Sequence, residues 1–182
     1  SLYRPAGESL SHGEKDGKRP VVLCPHGHWK NGRFYDAGPA ATRDAIAIGA
    51  ERFLSAARSP LQARCVQLAR MGCVVFHYDM LGNADSIQFS DHRRGPRKHM
   101  NAKTPGEWGF VSQQAAARLQ TNFGLQTWNS LRALDFVLGL KGIDPDRVLV
   151  TGASGGGTQT MMISAIDDRI DAAFPCVMVS TA

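Results

Sequence analysis

Short apolar runs rich in β-branched residues recur along the chain, and segments with helical spacing separate them. The run VVLC at residues 21–24 has the composition of a strand that is buried on both faces. Further runs of this kind occupy residues 1–4, 73–78, 148–150 and 172–179. Strands that alternate with helices predict an α/β fold, with a mostly parallel sheet and helices on both faces.

Helical patterns fill two of the intervals between these runs. The first follows Ser59 and Pro60, a cap and a first-turn residue, and stops at Gly72. The second covers residues 113–140, with a break expected at Gly124. An apolar stripe on this second helix is expected to face the core and consists of Trp128, Leu131, Leu134 and Leu138.

A glycine-rich turn follows the run at residues 148–150 and carries the clearest chemical signal. Gly152, Ser154 and Gly156 have the spacing G-x-S-x-G. In this motif the serine lies on a strained strand-to-helix turn, and the glycines leave room where the two elements approach each other. The amide of Gly155 would start the helix and face an anion that forms at the serine oxygen. The pattern predicts Ser154 as a catalytic nucleophile.

A phosphate-binding loop is the main alternative for this turn. Gly152 and Gly157 have the separation found in a P-loop, but Thr158 occupies the position of its lysine. A dinucleotide fingerprint fails as well, because Ser154 and Thr160 stand where glycine or alanine is required. Phosphate loops and a purely structural turn stay open as alternatives, and no cofactor is expected.

The strand at residues 21–24 runs into a His-Gly pair, His26 and Gly27. This ending is typical of a site whose second oxyanion donor is the backbone N–H after the glycine. That residue is His28, whose side chain is also a candidate for the pocket wall. The alternative of His26 and His28 as metal ligands is weaker, because the further Asp and His of a hydrolytic zinc site are not close by. No metal is expected.

Composition restricts the class of protein. The 182 residues are 43% hydrophobic with a net charge of +5, which indicates one globular domain over residues 1–182. Much of the positive charge lies at residues 93–103 without interleaved aromatic residues, so no nucleic-acid partner is expected. No apolar run is long enough to span a membrane, so no membrane partner is expected either.

Two other sets of reactive side chains have structural interpretations. Asp79 and Asp85 flank a glycine turn after a strand, a position typical of structural hydrogen-bonding groups. The cysteines lack C-x-x-C spacing and are expected to be buried free thiols, although a disulfide stays open. They are Cys24, Cys65, Cys73 and Cys176.

Four motifs in chain order resemble the α/β-hydrolase superfamily, most closely its acetyl xylan esterase and prolyl oligopeptidase-related branch. They are PHGHW at residues 25–29, HYDMLGNADS at 77–86, DPDRVLVTGASGGG at 144–157 and AAFPCVMVS at 172–180. The resemblance covers nearly the whole chain and implies a strand order of 2-4-3-5-6 for the part present. It also implies Ser154 as nucleophile, with the backbone amides of His28 and Gly155 as oxyanion donors.

The chain departs from the pattern of this family in its histidines. In this family the acid follows the sixth or seventh strand and the histidine comes later still, whereas no histidine follows His99 here. One explanation is that the chain is the N-terminal portion of a larger hydrolase, truncated after the sixth strand. The acid and the histidine would then lie beyond Ala182. The other is a complete protein with a degenerate or rearranged site. The sequence ends directly after an apolar strand, which favours truncation. The edge of the sheet formed by this strand would be unpaired, so self-association at this edge is predicted.

The predicted function is hydrolysis of a carboxylic ester through an acyl-enzyme on Ser154, with an acetylated carbohydrate as the substrate that the resemblance implies. Peptidase, thioesterase and glucuronoyl esterase activities use the same machinery and stay open. A non-catalytic binding protein that keeps the fold is the competing hypothesis. Without its base Ser154 is an ordinary alcohol, so this chain alone is expected to be inactive. No secretory signal is present, and the compartment stays open.

Overall fold

A five-stranded sheet forms the centre of the computed structural model, which describes residues 1–6, 13–87 and 113–178. The strands are Leu2–Tyr3 (β1), Arg19–Leu23 (β2), Val74–Phe76 (β3), Ile143–Ala153 (β4) and Ala172–Cys176 (β5). Their order is β1-β3-β2-β4-β5; β1 pairs antiparallel with β3, and the other neighbours are parallel. With β1 counted as the second strand of the fold, this is the order 2-4-3-5-6, and the predicted fold class is confirmed.

Helices cover both faces of this sheet. They are Gly38–Ala47 (α1), Leu54–Arg58 (α2), Pro60–Arg70 (α3), Gln113–Ala116 (α4), Asn122–Leu138 (α5) and Gly155–Ile166 (α6), with a short 3₁₀ helix at Gly32–Phe34. The basic cluster at residues 93–103 lies outside the described residues. No helix in the described part of the chain has the length and apolar character needed to cross a bilayer.

The side chains of the central strand β2 point alternately to the two faces of the sheet, and the core has a layer on each face. Val21 and Leu23 pack in one cluster, which also contains Leu134 of α5 and Ile163 of α6. Val22 and Cys24 pack on the other side, against Cys65 and Ala69 of α3. Because successive side chains of a strand point to opposite faces, the apolar run of β2 serves both layers. The carboxyl end of β2 is thereby fixed beside β4, where the serine turn begins.

The long helical pattern at residues 113–140 contains two helices, and the break is not at Gly124. α4 ends at Ala116, and α5 begins at Asn122 with Thr121 as its cap. The Thr121 Oγ1 atom accepts a hydrogen bond from the amide of Gly124 at 2.9 Å, so this glycine lies in the first turn of α5. The predicted break at Gly124 is therefore wrong.

The predicted core stripe of α5 is correct for Leu134 and wrong for Trp128. Leu134 is fully buried, whereas the Trp128 side chain is 54% exposed and lies beneath the guanidinium of Arg132, 4.3 Å from the ring centroid. The buried face of α5 includes the small polar residues Thr127 and Ser130 instead. These two residues face α6 and, through it, the serine turn.

The ends of β4 and β5 also differ from the expected strands. β4 starts at Ile143 rather than after Arg147, whose Nε donates to Asp144 Oδ2 at 2.6 Å within the strand. β5 ends at Cys176 and forms one edge of the sheet, with Phe174 65% exposed. Self-association at this edge stays a prediction.

All four cysteines are free thiols, as expected, but their burial differs. Cys24 and Cys65 are buried, whereas Cys73 and Cys176 are only partly buried.

Candidate active site

Ser154 lies on the sharp turn between β4 and α6. Its backbone angles are φ 57° and ψ −126°, a conformation that residues with a side chain rarely adopt. Its amide donates to the carbonyl of Cys176 at 3.0 Å, and its carbonyl accepts from the amide of Thr158 at 3.1 Å. Two hydrogen bonds thus hold a strained serine at the start of a helix, which is the backbone geometry of a nucleophile elbow.

The two glycines of the motif meet each other and the carbonyl of Pro25. A Cβ added at Gly152 would lie 2.6 Å from the carbonyl oxygens of both Gly156 and Pro25. A Cβ added at Gly156 would lie 2.4 Å from the Pro25 oxygen. Both distances are shorter than real contacts, so glycine is required here because strand, helix and the loop after β2 converge.

Two further glycines, Gly27 and Gly157, make close contacts at this site that were not predicted from the sequence. A Cβ at Gly27 would lie 2.7 Å from the Cβ of Ser154, and a Cβ at Gly157 would lie 2.2 Å from the carbonyl oxygen of Val177. Gly27 thus lets the loop after β2 pass directly beside the serine. The sequence shows only that a glycine lies near the end of a strand. It does not show the close contacts, because the partner of each glycine is distant in the sequence.

The two predicted oxyanion residues lie side by side. A Cβ at Gly155 would lie 3.0 Å from Cε1 of His28, so the exposed imidazole stands against the first residue of α6. The amide of Gly155 belongs to the first turn of α6, whose N–H groups have no partners within the helix and carry the positive end of its dipole. Developing negative charge near Ser154 would be stabilised at this position.

A cavity of about 310 Å³ opens beside these residues. Its apolar lining includes side chains from the turn after β3 and from the start of α5, and its polar lining includes side chains of α5 and α6. The lining consists of His26, Gly27, His28, Met80, Leu81, Asn122, Phe123, Gln126, Gly155, Thr158, Gln159 and Met178. Its volume is at the lower end of the range for small-molecule sites, enough for a group the size of one ring.

His26 fixes the loop that carries His28. Its Nδ1 atom donates to the carbonyl of Gly27 at 2.7 Å, and its Nε2 atom accepts from the amide of Met80 at 3.2 Å. Burial lowers the pKa of His26 to about 4, so the ring is neutral at pH 7 with its proton on Nδ1. Both nitrogens are engaged within the protein, which leaves His26 unsuited to bind a metal.

The aspartates after β3 form an ion-pair network with Arg33. The guanidinium of Arg33 contacts the carboxylates of both Asp79 and Asp85. Asp79 Oδ2 also accepts from the amide of Asp85 at 3.1 Å. The structural interpretation of the two aspartates is confirmed. Arg33 was missed, because its pairing with Asp79 spans elements far apart in the sequence.

Within residues 1–6, 13–87 and 113–178 no three His, Cys, Asp or Glu side chains are grouped as metal ligands would be. At the serine turn a hydroxyl, backbone amides and the start of a helix lie together. Acyl-transfer sites use groups of these kinds.

A comparison of the chain with known families agrees with this geometry. The profile described as Acetyl xylan esterase (AXE1) matches residues 56–179, which include the serine turn, α6 and the turn after β3. The chain belongs to the acetyl xylan esterase family. No curated protein matches it.

Solved structures share the fold of this acetyl xylan esterase family chain. A structure titled Methylesterase BT1017 is 28% identical over 96% of the chain, with a TM-score of 0.56. An acetyl xylan esterase from Paenibacillus sp. R4 is 22% identical over 96% of the chain, with a TM-score of 0.57. The chain spans 28% of the first structure and 42% of the second.

Proposed function

We propose that the full-length protein is a carbohydrate esterase that uses Ser154 as its nucleophile. The observation that carries this proposal is the strained backbone of Ser154, which lies between the loop of His28 and the start of α6. Its neighbours His28 and Gly155 line a cavity. Strain of this kind costs about 1–3 kcal/mol and persists where a function requires the geometry. Membership of the acetyl xylan esterase family supports the same assignment.

In the proposed mechanism the Oγ atom of Ser154 attacks the carbonyl carbon of the ester. The carbonyl oxygen becomes an anion, which the backbone amides of His28 and Gly155 hold by hydrogen bonds. Collapse of the intermediate breaks the bond to the alcohol oxygen, and the sugar leaves with a proton. Water then attacks the acyl-enzyme and releases the carboxylic acid.

The proton of Ser154 must pass to a base. His26 has both nitrogens engaged in the loop, and His77 is fully buried, so neither is placed to serve. We propose that a histidine and an acid C-terminal to Ala182 complete the triad in the full-length protein, as the family resemblance implies. Residues 1–182 would then be one part of a single catalytic domain, inactive alone.

An acetyl ester of a sugar is the proposed substrate. This choice of substrate rests on two findings. The chain matches the acetyl xylan esterase family, and a solved structure named as an acetyl xylan esterase shares its fold. The similarity to a structure titled as a methylesterase supports attack of the same serine on a methyl ester. These two reactions differ in their small product, acetate in the first and methanol in the second.

The test is product release by the full-length gene product from acetylated xylo-oligosaccharides and from methyl-esterified uronic acids. We expect acetate release that Ser154→Ala abolishes. Ser164→Ala is the matched control, because Ser164 lies on the same helix about 15 Å away and should keep activity. Methanol release without acetate release would replace the acetyl substrate. A folded protein that releases neither would favour the non-catalytic binding protein.

A further inference from the structure

A second groove runs along α2 and α3 and is lined by residues from the turn before α2 and from the two helices. Its volume is about 880 Å³, nearly three times the 310 Å³ of the cavity beside the serine turn. The two linings share no residue. A groove of this size has room for more than one sugar ring.

The groove carries an excess of positive charge. Arg52, Arg64 and Arg70 line it together with a single acid, Glu51. The Oε1 atom of Glu51 accepts from the backbone amides of Arg52 and Phe53, at 2.7 Å and 3.3 Å. This carboxylate is therefore held against its own turn, and it forms no ion pair with the three arginines.

Most other arginines in the described part of the chain have a carboxylate partner. They are Arg19, Arg33, Arg58, Arg132, Arg147 and Arg169. In Arg64 the Nε and Nη2 atoms are buried and have no acceptor among the described residues. A buried guanidinium without a counter-ion is unfavourable, and an anion bound nearby would reduce this cost through space. The contrast indicates that the groove accepts an anionic ligand.

The remaining lining suits the ring face and the hydroxyl groups of a sugar. The side chain of Phe53 is 65% exposed, and Ser55, Ser59 and Gln62 add uncharged hydrogen-bonding groups. An aromatic side chain offers an apolar face to a sugar ring, while hydroxyl and amide groups pair with its hydroxyls. Arginine presents N–H groups in a fork that matches a carboxylate. The groove thus combines groups for a sugar ring with groups for a carboxylate.

We propose that this groove binds a polysaccharide that carries uronic acid carboxylates, at a site separate from the serine cavity. The exposed side chains of Arg52 and Arg70 bind the carboxylates, and Phe53 packs against a sugar ring. The inference rests on the proposed function for the class of polymer, because a carbohydrate esterase meets its ester groups on such chains. A chain held in the groove keeps its other esters at a high local concentration near Ser154.

The test is calorimetry of the full-length protein with hexagalacturonate and with the neutral oligomer xylohexaose. We expect hexagalacturonate to bind about tenfold more tightly. The double variant Arg52→Gln/Arg70→Gln should weaken its binding about fivefold to twentyfold, and Phe53→Ala about threefold to tenfold. Both variants change exposed side chains, so the fold should be retained.

Salt separates the two contributions. Exposed charge pairs are screened at about 0.5 M salt, so the loss in the double arginine variant should shrink to less than about twofold, while the loss in Phe53→Ala persists. Arg43→Gln/Arg118→Gln is the matched control, because it removes the same charge from exposed positions outside the groove. It should change the dissociation constant less than about twofold. Equal losses in the two double variants would reduce the effect to net charge and overturn the inference.

Other occupants of the groove give different results. Hexaglutamate or a single-stranded oligonucleotide that binds more tightly than hexagalacturonate, in a way that depends on Arg52 and Arg70, would replace the polysaccharide. A full-length protein that binds no hexagalacturonate would overturn the inference, which is the result if another segment or a second copy covers the groove.

Activity separates this inference from the proposed function. Arg52→Gln/Arg70→Gln should keep kcat/KM for phenyl acetate within about twofold of the wild type, because the groove lies outside the serine cavity. Hexagalacturonate binding that depends on the two arginines, in a protein that cleaves no ester, would retain the groove and reject the proposed function. Ester cleavage that Ser154→Ala abolishes, with hexagalacturonate binding insensitive to the arginines, would reject the groove and retain the esterase.

Discussion

At the scale of single residues, two substitutions at Ser154 separate the loss of the hydroxyl from the relief of backbone strain. Ser154→Ala removes the hydroxyl and keeps the strained φ of 57°, whereas Ser154→Gly relieves that strain. The Ser154 side chain makes no capping hydrogen bond, so its loss alone should change stability little. We expect Ser154→Gly to be about 1 kcal/mol more stable than Ser154→Ala in urea denaturation, with both inactive. Equal midpoints would show that the turn is unstrained.

His26 makes stability depend on pH. Its pKa is about 4 in the folded protein and 6.5 when exposed, chiefly because burial disfavours the charged ring. Between these values the unfolded chain binds a proton that the folded protein does not, so stability falls as the pH drops from 6.5 towards 4. The full difference is on the order of 3 kcal/mol.

The variant His26→Asn isolates this contribution from that of His77, whose pKa burial also lowers. We expect the free energy of unfolding of the wild type to decrease more steeply over this pH range than that of the variant. The measurement is denaturation at a series of pH values. Parallel profiles for the two proteins would contradict the neutral state of His26.

At the scale of elements, the packing of α6 against the loop after β2 depends on glycine. A Cβ at Gly156 would meet the backbone oxygen and carbon of Pro25 at 2.4 Å and 2.8 Å, and backbone atoms cannot rotate away. We expect Gly156→Ala to destabilise the protein by about 3 kcal/mol or more and to abolish activity.

Gly124→Ala is the control for this substitution. Gly124 has helical backbone angles in α5, and an added Cβ would meet a single side-chain atom, Thr121 Oγ1 at 3.2 Å. The gain in helix propensity is up to about 1 kcal/mol, so the net change should be small. Thermal denaturation compares the two variants, and similar losses would mean that the close approach at Gly156 does not constrain the elbow.

The alternation of short β-branched runs with helices predicted the strands and a mostly parallel sheet, whereas the order of the strands was implied by the resemblance to the α/β-hydrolase superfamily. The sequence pattern did not predict the ends of α5, although Thr121 followed by Asn122 is a recognisable cap signal. The buried face of α5 could not be predicted from apolar spacing, because Thr127 and Ser130 face the polar side chain of Gln159.

At the scale of the whole molecule, the site is formed where the ends of β2 and β4 meet. Ser154 and His28 were predicted from local motifs, because each follows a strand with a characteristic glycine spacing. Gln126 and Arg33 were not, because their partners Leu81 and Asp79 come from other parts of the chain. The local motif thus predicts the nucleophile, while the residues that shape the cavity beside it depend on the tertiary structure.

The central claim is that the elbow presents Ser154 as a nucleophile in the full-length protein. The most direct measurement is the reaction of that protein with a fluorophosphonate, followed by mass spectrometry of its peptides. We expect stoichiometric modification of Ser154 and none in Ser154→Ala, because an activated serine attacks the phosphorus while the oxyanion site holds its oxygen. A folded full-length protein that remains unlabelled would contradict the claim and indicate a binding protein with the esterase fold.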